Sequence, residues 1–229
     1  MARIGDKTMI ERVYIQCIKS NLEDVMVATD DERIYKHVRT FGKVMMTADH
    51  HQSGTDRCQE VIEKHKETFD FVINIQGDEP FIDPEQINLL TQSLIPETGI
   101  ATLIKKIDHA EHLFNPNVVK VVKSSDNHAL YFSRSPIPHV RGMNHEEWLS
   151  NHTFFKHIGL YAYRTDVLQK ITALKQSLLE KTESLEQLRW LENGYSILTV
   201  ETQRETFGID SPEDLKQAEL YWETLQPGI

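Results

Sequence analysis

The sequence predicts an α/β fold: a mainly parallel sheet with helices on its faces and an antiparallel subregion in the middle of the chain. Two observations carry this. Through the first third of the 229 residues, stretches of helical periodicity alternate with short apolar runs rich in β-branched residues, the pattern of parallel strands joined by helices. Farther on, two apolar runs, Val118 to Lys123 and Ala129 to Arg134, are separated by a turn sequence alone, which signals a hairpin.

The elements follow in order. Met9, Ile10, Val13, Cys17 and Ile18 form one helical stripe between Lys7 and Ser20, with Asp6 standing where a cap accepts free N–H groups. Val25 to Thr29 reads as a buried strand. Asp30, Asp31 and Glu32 then set carboxylates at the positive start of a second helix, which Gly42 ends. Val44 to Thr47 is the next strand. After Gly54, Cys58, Val61, Ile62 and His65 recur at helical spacing, and Phe71 to Ile75 follows as a strand. Beyond it come a helix at Pro84 to Leu94, a strand at Ile100 to Ile107, the hairpin across Asp126 and Asn127, and a strand at Phe154 to Tyr163. Helices at Asp166 to Leu174 and Glu183 to Glu192 precede a strand at Ser196 to Val200. The last helix starts at Pro212, where Asp210 supplies a cap, proline occupies the first turn, and Glu213 and Asp214 complement the dipole.

Composition narrows the function. The chain is long enough for one sizeable core and short for two ordinary domains. It has 35 acidic against 25 basic side chains, a net charge of -10, with no block of lysine and arginine. That argues against a phosphate-backbone binder, because nucleic-acid affinity rests on clustered cations. Cys17 and Cys58 are too few for a disulfide framework, which suits a reducing cytoplasm. No apolar run is long enough to cross a membrane as a helix, and Met1–Asp6 carries no signal-type apolar region.

Ligands of parallel sheets sit at the carboxyl ends of the strands. There the run Asn74-Ile75-Gln76-Gly77-Asp78-Glu79-Pro80 ends a buried strand in a glycine followed by two carboxylates. Asp78 is either a hard-cation ligand beside a substrate phosphate or the start of a turn before Pro80. Asp210, after Gly208 and Ile209, reads as a helix cap with metal binding as the alternative. His50 to Arg57 forms a polar, glycine-containing entrance to a helix that could hold a nucleotide through backbone N–H groups, and Ser53 or Thr55 acting as a cap explains it as well. Neither His50 with His51 nor His109 with His112 is completed by the ligands a zinc shell needs.

Several segments together resemble a known family: Val27-Ala28-Thr29-Asp30-Asp31-Glu32-Arg33-Ile34, the His51 to Thr55 turn, Asn74 to Pro80, Phe114 to Lys120, Tyr131-Phe132-Ser133-Arg134, His157-Ile158-Gly159-Leu160-Tyr161, Leu185-Glu186-Gln187-Leu188-Arg189 and Gly208 to Leu215. Their identity and order are similar to the bacterial cytidylyltransferases that activate the sugar acid Kdo with CTP. The resemblance runs from Met1 to about Tyr221. It implies a nucleotide-diphospho-sugar transferase (Rossmann-like) fold in one domain over residues 1–229, and a homodimer formed through a subregion at about 108–164. It also implies Mg²⁺ held by Asp78 and Asp210, the catalytic pair, and a nucleotide facing Ser53, Gly54, Thr55, Arg57, Gln76 and Gly77. Arg134, His157, Tyr161, Glu186 and Gln187 would face the sugar acid. The partners so implied are CTP and Kdo, with no nucleic acid and no membrane.

In one respect the sequence departs from the family pattern. The family reaches the helix that starts here near Lys7 only after a strand and a loop of the type Pro-Ala-Arg-x-x-Ser-x-Arg-Leu-Pro-Gly-Lys-Pro-Leu. The chain as written lacks that loop, whose cations hold the triphosphate, and weak CTP binding is the expectation. A non-catalytic chain of the same family, or an enzyme for another acidic sugar, are the alternative readings.

Overall fold

The computed structural model describes residues 1–205, 208–209 and 211–225. The chain divides into two compact units. The first contains Met1–Thr68, Ile75–Asn88 and the chain from Glu205 onward; the second contains Phe69–Asn74 and Leu89–Arg204.

The first unit opens with a short antiparallel hairpin, β1 (Arg3–Ile4) and β2 (Lys7–Thr8), which turns at Gly5 with φ +60°. Because the hairpin uses Lys7 and Thr8, the first helix starts later than the periodicity alone suggests, as α1 (Met9–Ile18). Its cap is Thr8 in place of Asp6: the Thr8 hydroxyl accepts the Glu11 N–H at 3.3 Å. Asp6 instead pairs with the buried Arg12 at 2.8 Å. The Arg12 guanidinium lies 3.5 Å over the ring of Trp222. β3 (Val27–Thr29) and β4 (Val44–Met46) form a parallel pair in register Val27 to Val44, joined through α2 (Glu32–Val38). Asp31 caps α2 by accepting the Arg33 N–H at 2.7 Å. α3 (Gly54–Lys64) follows.

The second unit is built on a six-stranded sheet. Its elements begin with β5 (Phe71–Asn74); after α4 (Pro84–Gln92), within which the two units divide, come β6 (Ile100–Lys106) and α5 (Ala110–Phe114). β7 (Lys120–Lys123) and β8 (Ala129–Ser133) make the expected hairpin, with Asn127 at φ 63° in its turn. α6 (Trp148–Asn151), β9 (Phe155–Arg164), α7 (Thr165–Thr172), α8 (Leu178–Glu183), α9 (Gln187–Glu192) and β10 (Ile197–Glu201) complete it. The helix expected at Glu183 to Glu192 forms only from Gln187, as α9; Glu183 instead ends α8, a helix the sequence did not suggest, because Ser184 takes a left-handed conformation (φ 53°) and breaks the run.

A mainly parallel sheet is not what forms. The ten-residue β9 is the central strand: β6 runs antiparallel along one edge, and β5 and β7 run antiparallel to it along the other. Among the described residues, only β10 on β6 is parallel in this sheet. Alternating helices and strands reveal which elements exist, but not that the partner of most strands lies far along the chain and points the other way. Pairing of β6 with β9 is also irregular. Thr102 faces Tyr161 while Leu103 faces Ile158, so Gly159 and Leu160 bulge out of β9. Ile100, Leu103, Ile104, Phe132, Tyr163 and Trp190 are fully buried in this unit. A satellite cluster forms beside α5 and α6 from Ile107, Leu113, Trp148 and Phe154, with the last two rings stacked at 5.9 Å.

The chain returns to the first unit for α10 (Pro212–Leu225). Ser211 caps it: the hydroxyl accepts the Asp214 N–H at 3.2 Å, and the Asp214 carboxylate accepts the Ser211 N–H at 2.9 Å. The cap expected of Asp210 is therefore filled by its neighbour. Asp210 itself lies outside the described residues.

Candidate active site

In the first unit, the turn that follows β5 in sequence carries Gln76 and Gly77 exposed and Asp78 half-buried, ahead of a buried Pro80. Gly77 backs onto Ile10, whose Cδ1 would stand 3.3 Å from an added Cβ. The Asp78 carbonyl accepts the Ile209 N–H at 2.9 Å. This one bond ties the Asn74–Pro80 motif to the Gly208–Leu215 motif, segments far apart in sequence, and seats the residue before Asp210 directly beside Asp78. Among the described residues no three His, Cys, Asp or Glu side chains gather as a metal cluster.

The start of α3 is organised by its own polar groups. Ser53, in extended backbone, accepts the Asp56 N–H at 3.2 Å, so the capping role is real. Thr55 is buried and Gly54 exposed. Arg57 is turned to the carboxyl ends of β3 and β4, where it bonds the Thr47 hydroxyl, the Ala48 carbonyl at 3.4 Å and the Asp30 carboxylate at 3.1 Å. One turn on, Glu60 accepts from Lys64, from the Ala48 N–H at 2.9 Å and from His51. These bonds, led by Lys64, hold the Glu60 carboxyl down to about 2.

All five residues expected to face a sugar acid fall in the second unit. Arg134 follows β8, and its side chain is a brace: Nε donates to the Glu183 carbonyl at 2.7 Å, Nη1 to the Pro116 carbonyl at 3.1 Å and Nη2 to the Ser184 carbonyl at 3.3 Å. Two of its five N–H groups remain for a ligand. The Glu183 carboxylate accepts the Ser133 hydroxyl at 2.7 Å and the Arg134 N–H at 2.9 Å, which fastens β8 to the end of α8, three residues before Glu186. Lys120 lies beneath this junction. Fully buried, it donates to the carbonyls of Asn115, Val118 and Arg134, and burial holds its ammonium pKa below the ordinary lysine value.

His157 and Tyr161 flank the bulge of β9, and their rings are 5.1 Å apart. The Phe132 ring meets the imidazole in a T-shaped contact at 5.2 Å, and desolvation pulls the His157 pKa down to about 3. Burial, aided by Tyr163 and Glu186, pushes the Tyr161 phenol well above its usual pKa. Trp190 stands perpendicular to Tyr161 at 5.2 Å, one turn of α9 after Glu186 and Gln187. The Tyr161 hydroxyl and the Trp190 indole nitrogen are buried with no hydrogen-bond partner among the described residues. Glu186 is half-buried and Gln187 buried.

Lys120, Glu183 and Trp190 escape a reading of the sequence alone, as does Thr102, whose hydroxyl bonds His157. A lysine inside the apolar run Val118-Val119-Lys120-Val121-Val122 was the available signal for the first. The others carry no pattern that separates them from ordinary helix, strand or core residues.

A cytidylyltransferase family model matches residues 1–219. The 3-deoxy-manno-octulosonate cytidylyltransferase of Cytophaga hutchinsonii is 57% identical over 219 residues, covering 94% of this chain and 87% of that protein. Its counterpart from Parabacteroides distasonis is 55% identical over 224 residues, with 95% and 89% covered. A solved structure of CMP:2-keto-3-deoxy-manno-octonic acid synthetase complexed with CTP is similar at TM-score 0.90 and 40% identity, over 98% of this chain and 91% of that one. The 4-diphosphocytidyl-2C-methyl-D-erythritol synthase of Anaerococcus prevotii, at TM-score 0.63 and 13% identity over 96% of this chain and 88% of that one, shares the fold alone.

Proposed function

We propose that this chain, which belongs to the cytidylyltransferase family, transfers the CMP group of CTP to the sugar acid 3-deoxy-D-manno-octulosonate (Kdo), giving CMP-Kdo and pyrophosphate for lipopolysaccharide biosynthesis. The likeness to the Cytophaga hutchinsonii protein over almost the whole chain carries the substrate assignment. In the reaction, the anomeric hydroxyl oxygen of Kdo attacks the α-phosphorus of CTP. The bond from that phosphorus to the bridging oxygen breaks, pyrophosphate leaves with the electron pair, and the hydroxyl proton passes to water.

The protein's work here is positioning and charge stabilisation. Asp78 and Asp210 would hold Mg²⁺, which when bound neutralises phosphate charge and polarises the attacking oxygen. The residues fit this ion, since nucleotide-bound Mg²⁺ needs one or two carboxylates and takes its other ligands from phosphate and water. The bond from Ile209 to Asp78 supports the pairing. Gln76 and Gly77 on the exposed turn, with Ser53, Gly54, Thr55 and Arg57 at the start of α3, receive the nucleotide, where helix N–H groups suit an anion. The two N–H groups left on Arg134 bind the sugar carboxylate, and His157, Tyr161, Glu186 and Gln187 bind its hydroxyls. The enzyme works in the cytoplasm as a homodimer formed through residues at about 108–164.

Incubation of the purified chain with CTP, Mg²⁺ and Kdo, followed by mass detection of CMP-Kdo and enzymatic detection of pyrophosphate, is the test. Product formed with another acidic sugar and none with Kdo would move the assignment to that sugar. No product with any would favour a non-catalytic member of the family.

A further inference from the structure

The hydroxyl of Thr102, a fully buried residue of β6, makes three contacts: His157 Nε2 at 2.9 Å, the Leu160 carbonyl at 2.9 Å and the Ile158 carbonyl at 3.2 Å. A hydroxyl has a single proton to give and lone pairs to receive. Carbonyl oxygens can only accept, so the Thr102 proton is committed to the bulge of β9, shared between Leu160 and Ile158. What remains for His157 is an acceptor lone pair. The hydrogen on that bond must therefore sit on His157 Nε2, and Nδ1 is left bare as an acceptor.

We propose that Thr102 is a positioning residue that locks His157 as the neutral Nε2–H tautomer, so that Nδ1 accepts a hydrogen bond from a hydroxyl of the sugar acid. The sugar-facing half rests on the function proposed above; the lock rests on the hydrogen-bond geometry. A second consequence is built into the same bonds. The bulge that brings His157 and Tyr161 to one ring-to-ring distance of 5.1 Å is held by the same hydroxyl, so one side chain sets both the protonation site and the spacing of this pair. His157 then recognises an O–H and does not shuttle protons. An imidazole ringed by Phe132 and Tyr161 and held neutral is suited to that task and unsuited to general acid–base work.

Proton-detected ¹⁵N spectra of the imidazoles in the unaltered protein test the lock directly. His157 is expected to show a pyrrole-like Nε2 and a pyridine-like Nδ1, unchanged across about pH 5 to 8. A pyridine-like Nε2, or a doubly protonated ring in that range, would overturn it. Thr102→Val keeps the shape of the side chain and removes the hydroxyl. It should mix the two tautomers and raise the KM for Kdo about tenfold, with kcat and the KM for CTP within about twofold. Thr102→Ser should restore both the spectrum and the KM, which a residue of merely structural importance to packing would not. If Thr102→Val leaves tautomer and KM as in the parent, the assignment fails. His157→Phe keeps the ring contacts and separates the two halves: an unchanged KM for Kdo in that variant would remove the sugar-facing role while the spectra decide the lock.

Discussion

The carbonyl of Asp78 is engaged by Ile209, so the backbone at this position is fixed independently of the side chain's charge. Asp78→Asn should therefore keep the fold, with a melting temperature within about 3 °C of the parent, while CMP-Kdo synthesis falls at least about 100-fold. Activity within a few-fold of the parent at saturating Mg²⁺ would remove Asp78 from the metal site. His157 yields a pH dependence of known sign. Its pKa is about 3 in the fold against an ordinary value of 6.5, so its contribution to stability is complete above pH 6.5 and declines as the pH drops, because the unfolded chain takes up the proton first. The urea midpoint of the parent should fall relative to that of His157→Phe between about pH 7 and about pH 5. A constant gap would mean that the ring is protonated as readily in the fold as in the unfolded chain. Cys17 is buried and its thiol is pushed up to about 12, chiefly by desolvation. Alkylation of Cys17 in the native protein should track global unfolding, whereas rapid labelling without denaturant would contradict that burial.

Caps and breaks separate what was legible along the chain from what was not. Asp31 and Ser53 cap the helices where their side-chain chemistry puts them. The first and last helices shift by short-range competition: a hairpin claims Lys7 and Thr8, and Ser211 takes the cap next to Asp210. Both residues at each end are good caps, and local pattern does not rank them. The Ser211 cap sharpens an expectation for the neighbouring carboxylate. Asp210→Ser should change stability by less than about 1 kcal/mol and abolish most activity, while Ser211→Ala should cost about 1 kcal/mol and spare activity. Denaturation and turnover measured on both variants check this, and the reverse assignment of effects would make Asp210 a structural residue. The helix expected from Glu183 shows a different limit. Ser184 enters the left-handed region without being glycine or asparagine, and there the Ser184 carbonyl meets Arg134 and the Glu183 carboxylate meets Ser133, contacts that no local pattern announces.

At the level of the whole molecule, the positions of the longer elements were readable from periodicity and the family from its ordered motifs, while the short elements β1, β2, α5, α6 and α8 and the direction of the strands were not. Periodicity reports the environment of each residue; pairing depends on which distant strand wins the neighbouring edge. The proposed dimer belongs to this scale too. Sedimentation equilibrium at micromolar concentration should give twice the chain mass, and a monomer at every concentration would retire the role assigned to residues at about 108–164. The central place of β9 bears finally on how the protein is made. Phe71 must find Arg164 and Ile100 must find Tyr163, so neither β5 nor β6 gains these hydrogen bonds until nearly three-quarters of the chain has left the ribosome. Until then their apolar residues face the cell unpaired. Such late, long-range closure slows folding and lengthens exposure to aggregation, which makes nascent chains halted before Phe155 natural clients for chaperones.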